Sequence, residues 1–170
     1  MFTRQRALKR GLVAVMAGIL LAAVQAAVTP QSAVAAIRYN YLANQQYGDY
    51  LNGSLSGDVT TTSYTGFGAQ WWDFSNKGNG NYVIYNAHES GRALTQYLET
   101  GDVRTHSIDP RWAAHSEQWW LADGPGGTWY IHNRGNDKCL TAKGRGNVVR
   151  AEPCRTGDRS QLWYQTGWTG

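Results

Sequence analysis

The side chains best suited to acid–base or metal chemistry are thinly spread along this chain. Its four histidines, His88, His106, His115 and His132, show no His-x-x-x-His or Cys/His spacing of the kind zinc requires. They read as loop or surface histidines. Carboxylates stand singly, and Asp109-Pro110 has the chemistry of a turn, so no two are set up as a general acid and its base. No Gly-x-Ser-x-Gly elbow, Walker-type glycine loop or cysteine nucleophile is present. The residues point away from an enzyme, a metal and a cofactor. What remains is the chemistry of recognition, carried by aromatic rings and short polar side chains. All 8 Trp and all 10 Tyr lie beyond residue 36. Tyr47, Tyr50, Tyr64, Phe67 and Trp71 cluster in sequence, either as core or as an outward stacking or protein-contact patch.

Those aromatics sit inside a pattern that occurs three times. An apolar residue and an Asn form Leu42-x-Asn44, Ile84-x-Asn86 and Ile131-x-Asn133. Leu51, Leu94 and Leu140 follow, and then Gly57-Asp58-Val59, Gly101-Asp102-Val103 and Gly146-Asn147-Val148. Each copy closes on Gln-x-Trp: Gln70-Trp71-Trp72, Gln118-Trp119-Trp120 and Gln161-Leu162-Trp163. One Gln-x-Trp would mean little; several features recurring in one order three times define internal repeats.

The elements that must position these residues are short strands. Tyr82-Val83-Ile84 and Trp129-Tyr130-Ile131 favour β structure and run into Asn- and Gly-rich turns. The Gly-Asp and Gly-Asn pairs fall where a hairpin reverses. About four strands fit each copy, and no helical period appears beyond the N-terminal segment. Three units that cannot each bury a face must share one core, and a propeller needs four or more blades. The prediction is an all-β protein, a β-trefoil of three pseudo-symmetric four-stranded repeats at about residues 37–76, 77–124 and 125–170. Trp72, Trp120 and Trp163 are expected to meet in its centre, with Gln70, Gln118 and Gln161 satisfying backbone groups left unpaired by the turns.

The first 36 residues are of another kind. Arg4, Arg6, Lys9 and Arg10 precede an apolar run from Gly11 to Val28 and a small-residue exit, Ala33-Val34-Ala35-Ala36. This is the layout of a secretory signal peptide, so a secreted, extracellular protein without a membrane anchor after cleavage is expected. Residues 37–170 would form one domain. The whole chain carries 16 Lys plus Arg against 12 Asp plus Glu, and the four surplus cations all lie in the signal. The remaining body is neutral, which argues against nucleic-acid binding driven by bulk charge. Cys139 and Cys154 are the two cysteines, and in an exported protein a pair favours one disulfide over a metal site.

The repeat resembles that of the ricin B-type lectin family, whose β-trefoils carry Gln-x-Trp in each of three subdomains. The third copy follows the family order most fully, through Cys139-Leu140, Pro153-Cys154 and Gln161-Leu162-Trp163. The resemblance implies a Cys139–Cys154 disulfide and a carbohydrate-binding function without catalysis, with glycans or glycoconjugates as partners. A family site has Asp directly after the Leu, where this chain has Asn52, Thr95 and Thr141. Family members often have Asn directly before the Gln, where Ala69, Glu117 and Ser160 stand. An aromatic ahead of the closing motif stacks on the sugar, a place for Tyr64 or Phe67 in the first copy and Trp112 in the second. The candidate carbohydrate-binding set is therefore Asn52, Asp58 and Tyr64, then Thr95, Asp102 and Trp112, then Thr141 and Asn147. The alternative is a protein-binding or toxin-companion trefoil docking a co-secreted protein. A ratio of 12 Arg to 4 Lys suits a GC-rich bacterial source.

Overall fold

The computed structural model describes residues 39–109, 111 and 113–167. The expected signal peptide, residues 1–36, lies outside the described residues. Twelve strands follow one another in three groups of four. The first group is β1 (Asn40–Asn44), β2 (Tyr50–Gly53), β3 (Val59–Thr62) and β4 (Trp72–Gly78). The second is β5 (Asn81–Asn86), β6 (Arg92–Gln96), β7 (Val103–Ser107) and β8 (Trp119–Asp123). The third is β9 (Trp129–Asn133), β10 (Cys139–Thr141), β11 (Arg150–Glu152) and β12 (Leu162–Gly167).

The outer strands of each group close a six-membered antiparallel ring. β1 pairs with β4, β4 with β5, β5 with β8, β8 with β9, β9 with β12, and β12 returns to β1. The inner strands form three hairpins, β2–β3, β6–β7 and β10–β11. Bridges Asp58↔Arg104, Asp102↔Arg150 and Thr60↔Val148 tie each hairpin to the other two. A closed barrel of six strands capped by a triangle of hairpins is a β-trefoil, as the repeats predict. The turn glycines are fixed by this cap. Gly57 and Gly101 hold φ of +94° and +78°, which favours glycine, and the carbonyl of each accepts from the neighbouring hairpin, from Thr105 N–H and Ala151 N–H at 2.7 Å.

The core repeats with the same threefold order. Leu42, Ile84 and Ile131 lie in it with Leu51, Leu94 and Leu140, and with three valines and three tryptophans, all fully buried. Burying one indole removes about 150–250 Å² from water and contributes on the order of 4–6 kcal/mol as an upper bound. Each indole Nε1–H is satisfied by the carbonyl of the repeat's own Leu: Trp72 by Leu51 at 3.1 Å, Trp119 by Leu94 at 2.8 Å and Trp163 by Leu140 at 2.9 Å.

The second copy thus uses Trp119 and not the expected Trp120. Its register is Glu117-Gln118-Trp119, one residue earlier than the Gln-x-Trp reading. Three observations fix this. Trp72 pairs with Asn86, Trp163 with Asn44, and Trp119 with Asn133 on the adjacent strand. Asn44, Asn86 and Asn133 donate their amides to the carbonyls of Ser160, Ala69 and Ser116, at 2.8, 2.9 and 2.9 Å. Those carbonyls directly precede Gln161, Gln70 and Glu117. Trp120 points outward and stacks on His132 with centroids 3.8 Å apart. The slip divides one job between two residues. Gln70 accepts from Thr65 N–H and donates to Ser63 O, both at 2.8 Å, and Gln161 does the same with Arg155 N–H and Pro153 O. A carboxylate can accept but not donate. Glu117 therefore takes Ala114 N–H at 2.7 Å, and Gln118 donates to Ala113 O at 2.7 Å.

The third copy slips in the same way. Its buried valine is Val149, the counterpart of Val59 and Val103, whereas Val148 takes the bridge position held by Asp58 and Asp102. Cys139 and Cys154 are joined in a disulfide. In the first repeat the corresponding places are filled by Tyr50 and Tyr64, whose rings lie 5.0 Å apart. An aromatic contact there stands where the third repeat has a covalent one.

Candidate functional site

The position after the repeat Leu projects differently in each copy. In β2 the outward face carries Tyr50 and Asn52, and Asn52 lies across from Thr60 with its amide donating to Gly53 O at 3.2 Å. Thr141 is turned inward and is 1% exposed. Its hydroxyl donates to Cys139 O at 2.9 Å and accepts from the Gln161 amide at 3.1 Å, so it braces the closing motif. Thr95 is 7% exposed and donates to Ala93 O. It nonetheless lines a cavity, and there the second repeat differs from the other two.

That cavity has a volume of about 460 Å³, within the ~300–1,000 Å³ of small-ligand sites. Thr95 to Thr100 form one wall, His106 of β7 a second, and Ser116 with Glu117 the third. With the register set by Trp119, Ser116 is the residue directly before the closing motif. The structure therefore brings together the two positions, after the Leu and before the Gln, at which ricin B-type sites place polar ligands. Tyr97 and Leu98 add half-exposed apolar surface on the rim. The Tyr97 backbone is pinned by Asp102 O and Gly101 N–H at 2.8 and 2.7 Å, and the Arg104 guanidinium lies 5.8 Å from its ring centroid. Gln96 also lines the cavity, buried, with no hydrogen-bond partner for either amide atom.

Other expected site residues are placed elsewhere. Asp58 and Asp102 face Arg104 and Arg150 of the next hairpin at 3.7 and 3.5 Å, and serve the cap. Asn147 donates to Lys143 O within its own turn. Tyr64 packs on Tyr41 and Tyr50, and its hydroxyl donates to that of Tyr41. The Tyr41 hydroxyl also accepts from Trp71 Nε1 at 2.6 Å, and Tyr39 stacks on Trp71. Burial, followed by the Tyr64 hydrogen bond, raises the Tyr41 phenol above its ordinary value. Trp112 lies outside the described residues. The sequence reading missed Gln96, Tyr97, Leu98, His106 and Ser116. Tyr97-Leu98, an apolar pair next to a Gly-Asp turn, was the one local signal.

Among the described residues, His132, Cys139 and Cys154 form the one group with metal-ligand side chains close together. Both sulfurs are bonded to each other, and His132 Nδ1 faces Asp137 at 3.1 Å.

Residues 69–152 match the family described as ricin-type beta-trefoil lectin domain-like. Over this stretch the chain is similar to the ricin-type β-trefoil lectin-like family. The match spans the whole second repeat and the third as far as β11, and so includes the cavity. Solved structures share the trefoil. A designed threefold-symmetric protein, ThreeFoil, is 24% identical with a TM-score of 0.66, over 75% of this chain and 97% of that one. SeviL, solved with an asialo-GM1 saccharide, is 19% identical with a TM-score of 0.62, over 76% and 97%. An endo-β-galactosidase from Clostridium perfringens that releases GlcNAcα1-4Gal is 18% identical with a TM-score of 0.67, over 77% of this chain but 33% of the enzyme. At such identities the shared property is the fold. No curated protein matches the chain in sequence.

Proposed function

We propose that this protein is a secreted, non-catalytic glycan-binding module whose principal site is the cavity of the second repeat. The observation that carries the reading is the meeting of Thr95, Ser116 and Glu117 with the Tyr97–Leu98 rim on one concave surface of a ricin-type trefoil. Hydroxyl and carboxylate groups suit sugar hydroxyls, and apolar rim atoms suit the C–H face of a pyranose. The first repeat keeps Asn52 on its outer face as a shallower second site. The third, with Thr141 buried, offers none at that position.

The SeviL–saccharide complex and the trefoil-bearing galactosidase support the carbohydrate reading by likeness of fold. A glycan array on the purified protein, repeated with Tyr97→Ala and Ser116→Ala, tests it. Binding that falls at least about tenfold in both variants, with the thermal midpoint kept, is the expected result. A blank array for folded protein, with capture of a co-secreted polypeptide that sugars do not compete, would transfer the reading to the protein-docking alternative.

A further inference from the structure

Glu117 occupies the place that Gln70 and Gln161 hold in the other repeats, and that exchange bears on what the cavity accepts. The structural duty of the position is to receive one backbone N–H, and Glu117 discharges it with Oε2 toward Ala114. A neutral amide does this in the other two repeats, so the fold has no need of the charge. Glu117 is partly exposed on the cavity wall, and among the described residues it forms no ion pair. Arg134 donates to the neighbouring Gln118. Arg104 faces Asp58, Arg150 faces Asp102 and Arg111 faces Asp109. Glu99 adds a second carboxylate to the lining, and no Lys or Arg is among the described lining residues. Carboxylates on a concave wall that holds no Lys or Arg favour a cationic group in the ligand. The second, independent sign of an unfilled site is Gln96, 1% exposed, whose amide has neither donor nor acceptor satisfied. Native proteins rarely leave such a group orphaned unless water or a ligand completes it.

We infer that the second-repeat cavity selects saccharides bearing a protonated amino group, with the Glu117 carboxylate as the counter-charge. This rests on the proposed glycan-binding function and adds the ligand class: amino sugars over neutral or acetamido sugars, and against uronic or sialic acids. The hydroxyls of the same ring would be held by Thr95 and Ser116. The attraction is partly screened, so the preference should shrink as salt rises.

The test is calorimetric titration of the purified protein and its Glu117→Gln variant with three probes: glucosamine oligomers, their fully N-acetylated counterparts, and galacturonic acid oligomers. Glutamine at this position is sound for folding, because Gln70 and Gln161 already make the equivalent bond, and the thermal midpoint checks it. The expected result is that wild type binds the glucosamine oligomer at least about tenfold tighter than the acetylated one, as a charge-assisted hydrogen bond allows. Glu117→Gln should weaken the glucosamine oligomer more than the acetylated one and bring the two within about twofold. Equal affinity of wild type for both, or an amine preference that survives Glu117→Gln, overturns the inference and leaves glycan binding standing. Failure of every saccharide, the array included, overturns both.

Discussion

The one-residue slip in the second repeat makes the two adjacent tryptophans energetically unequal, and mutation can show it. Trp119 is fully buried between the Leu, Ile and Val layers, and its Nε1–H is the partner of the Leu94 carbonyl at 2.8 Å. Replacing it by Ala removes the indole from a closed core that cannot collapse around the gap, which costs about 3–5 kcal/mol. The orphaned Leu94 carbonyl pushes the loss toward the top of that range. Against a total stability of about 5–15 kcal/mol for a domain, this is a large share. At roughly 3–5 °C per kcal/mol for a chain of this size, the thermal midpoint should fall by about 10–20 °C. Trp120→Ala forfeits outward stacking on His132 at a 3.8 Å centroid distance, worth about 0.5–1.5 kcal/mol, and should shift the midpoint by only a few degrees. Far-UV circular dichroism melts of both variants, beside Trp72→Ala and Trp163→Ala, decide the matter. Trp119→Ala should group with Trp72→Ala and Trp163→Ala. If Trp120→Ala proves as damaging as these, the register argued from Asn133 and Ser116 is wrong.

Thr141→Val is nearly isosteric but removes the acceptor of the Gln161 amide and a donor to Cys139 O. It should cost about 1–3 kcal/mol in denaturant unfolding and leave glycan affinity unchanged; lost affinity at unchanged stability would mean that Thr141 meets ligand after all. The Tyr85 phenol, its hydroxyl buried without a partner, is raised above 10.0 by burial first and then by the charges of Glu117, Asp73 and Asp109. The native state therefore holds this proton more tightly than the unfolded chain does. Its contribution is fully present below pH 10 and is lost as pH rises from there toward the raised value. Tyr85→Phe should flatten the alkaline fall in stability, with a residual slope from Tyr41; a mutant with the wild-type slope would show that Tyr85 is not the group titrating.

The repeat order was enough to define the fold, because a feature set that returns three times admits few ways to share one core. Leu51, Leu94 and Leu140, the apolar–Asn pairs and the hairpin glycines Gly57 and Gly101 serve symmetry-related roles that their order implied, and Cys139 and Cys154 form the implied disulfide. What the order could not set was register where two equivalent residues adjoin. Trp119-Trp120 and Val148-Val149 each offer two candidates for one buried place. Successive strand side chains point to opposite faces, so a single-residue shift exchanges inside for outside without changing the composition. Only the pairing of Trp119 with Asn133 and the burial of Val149 resolve the choice. The site was hidden for a related reason. Thr95 and Thr141 hold the same sequence position, yet one lines a cavity and the other braces Gln161. The difference comes from His106 and Ser116, which the fold brings beside Thr95 and Tyr97 around one cavity.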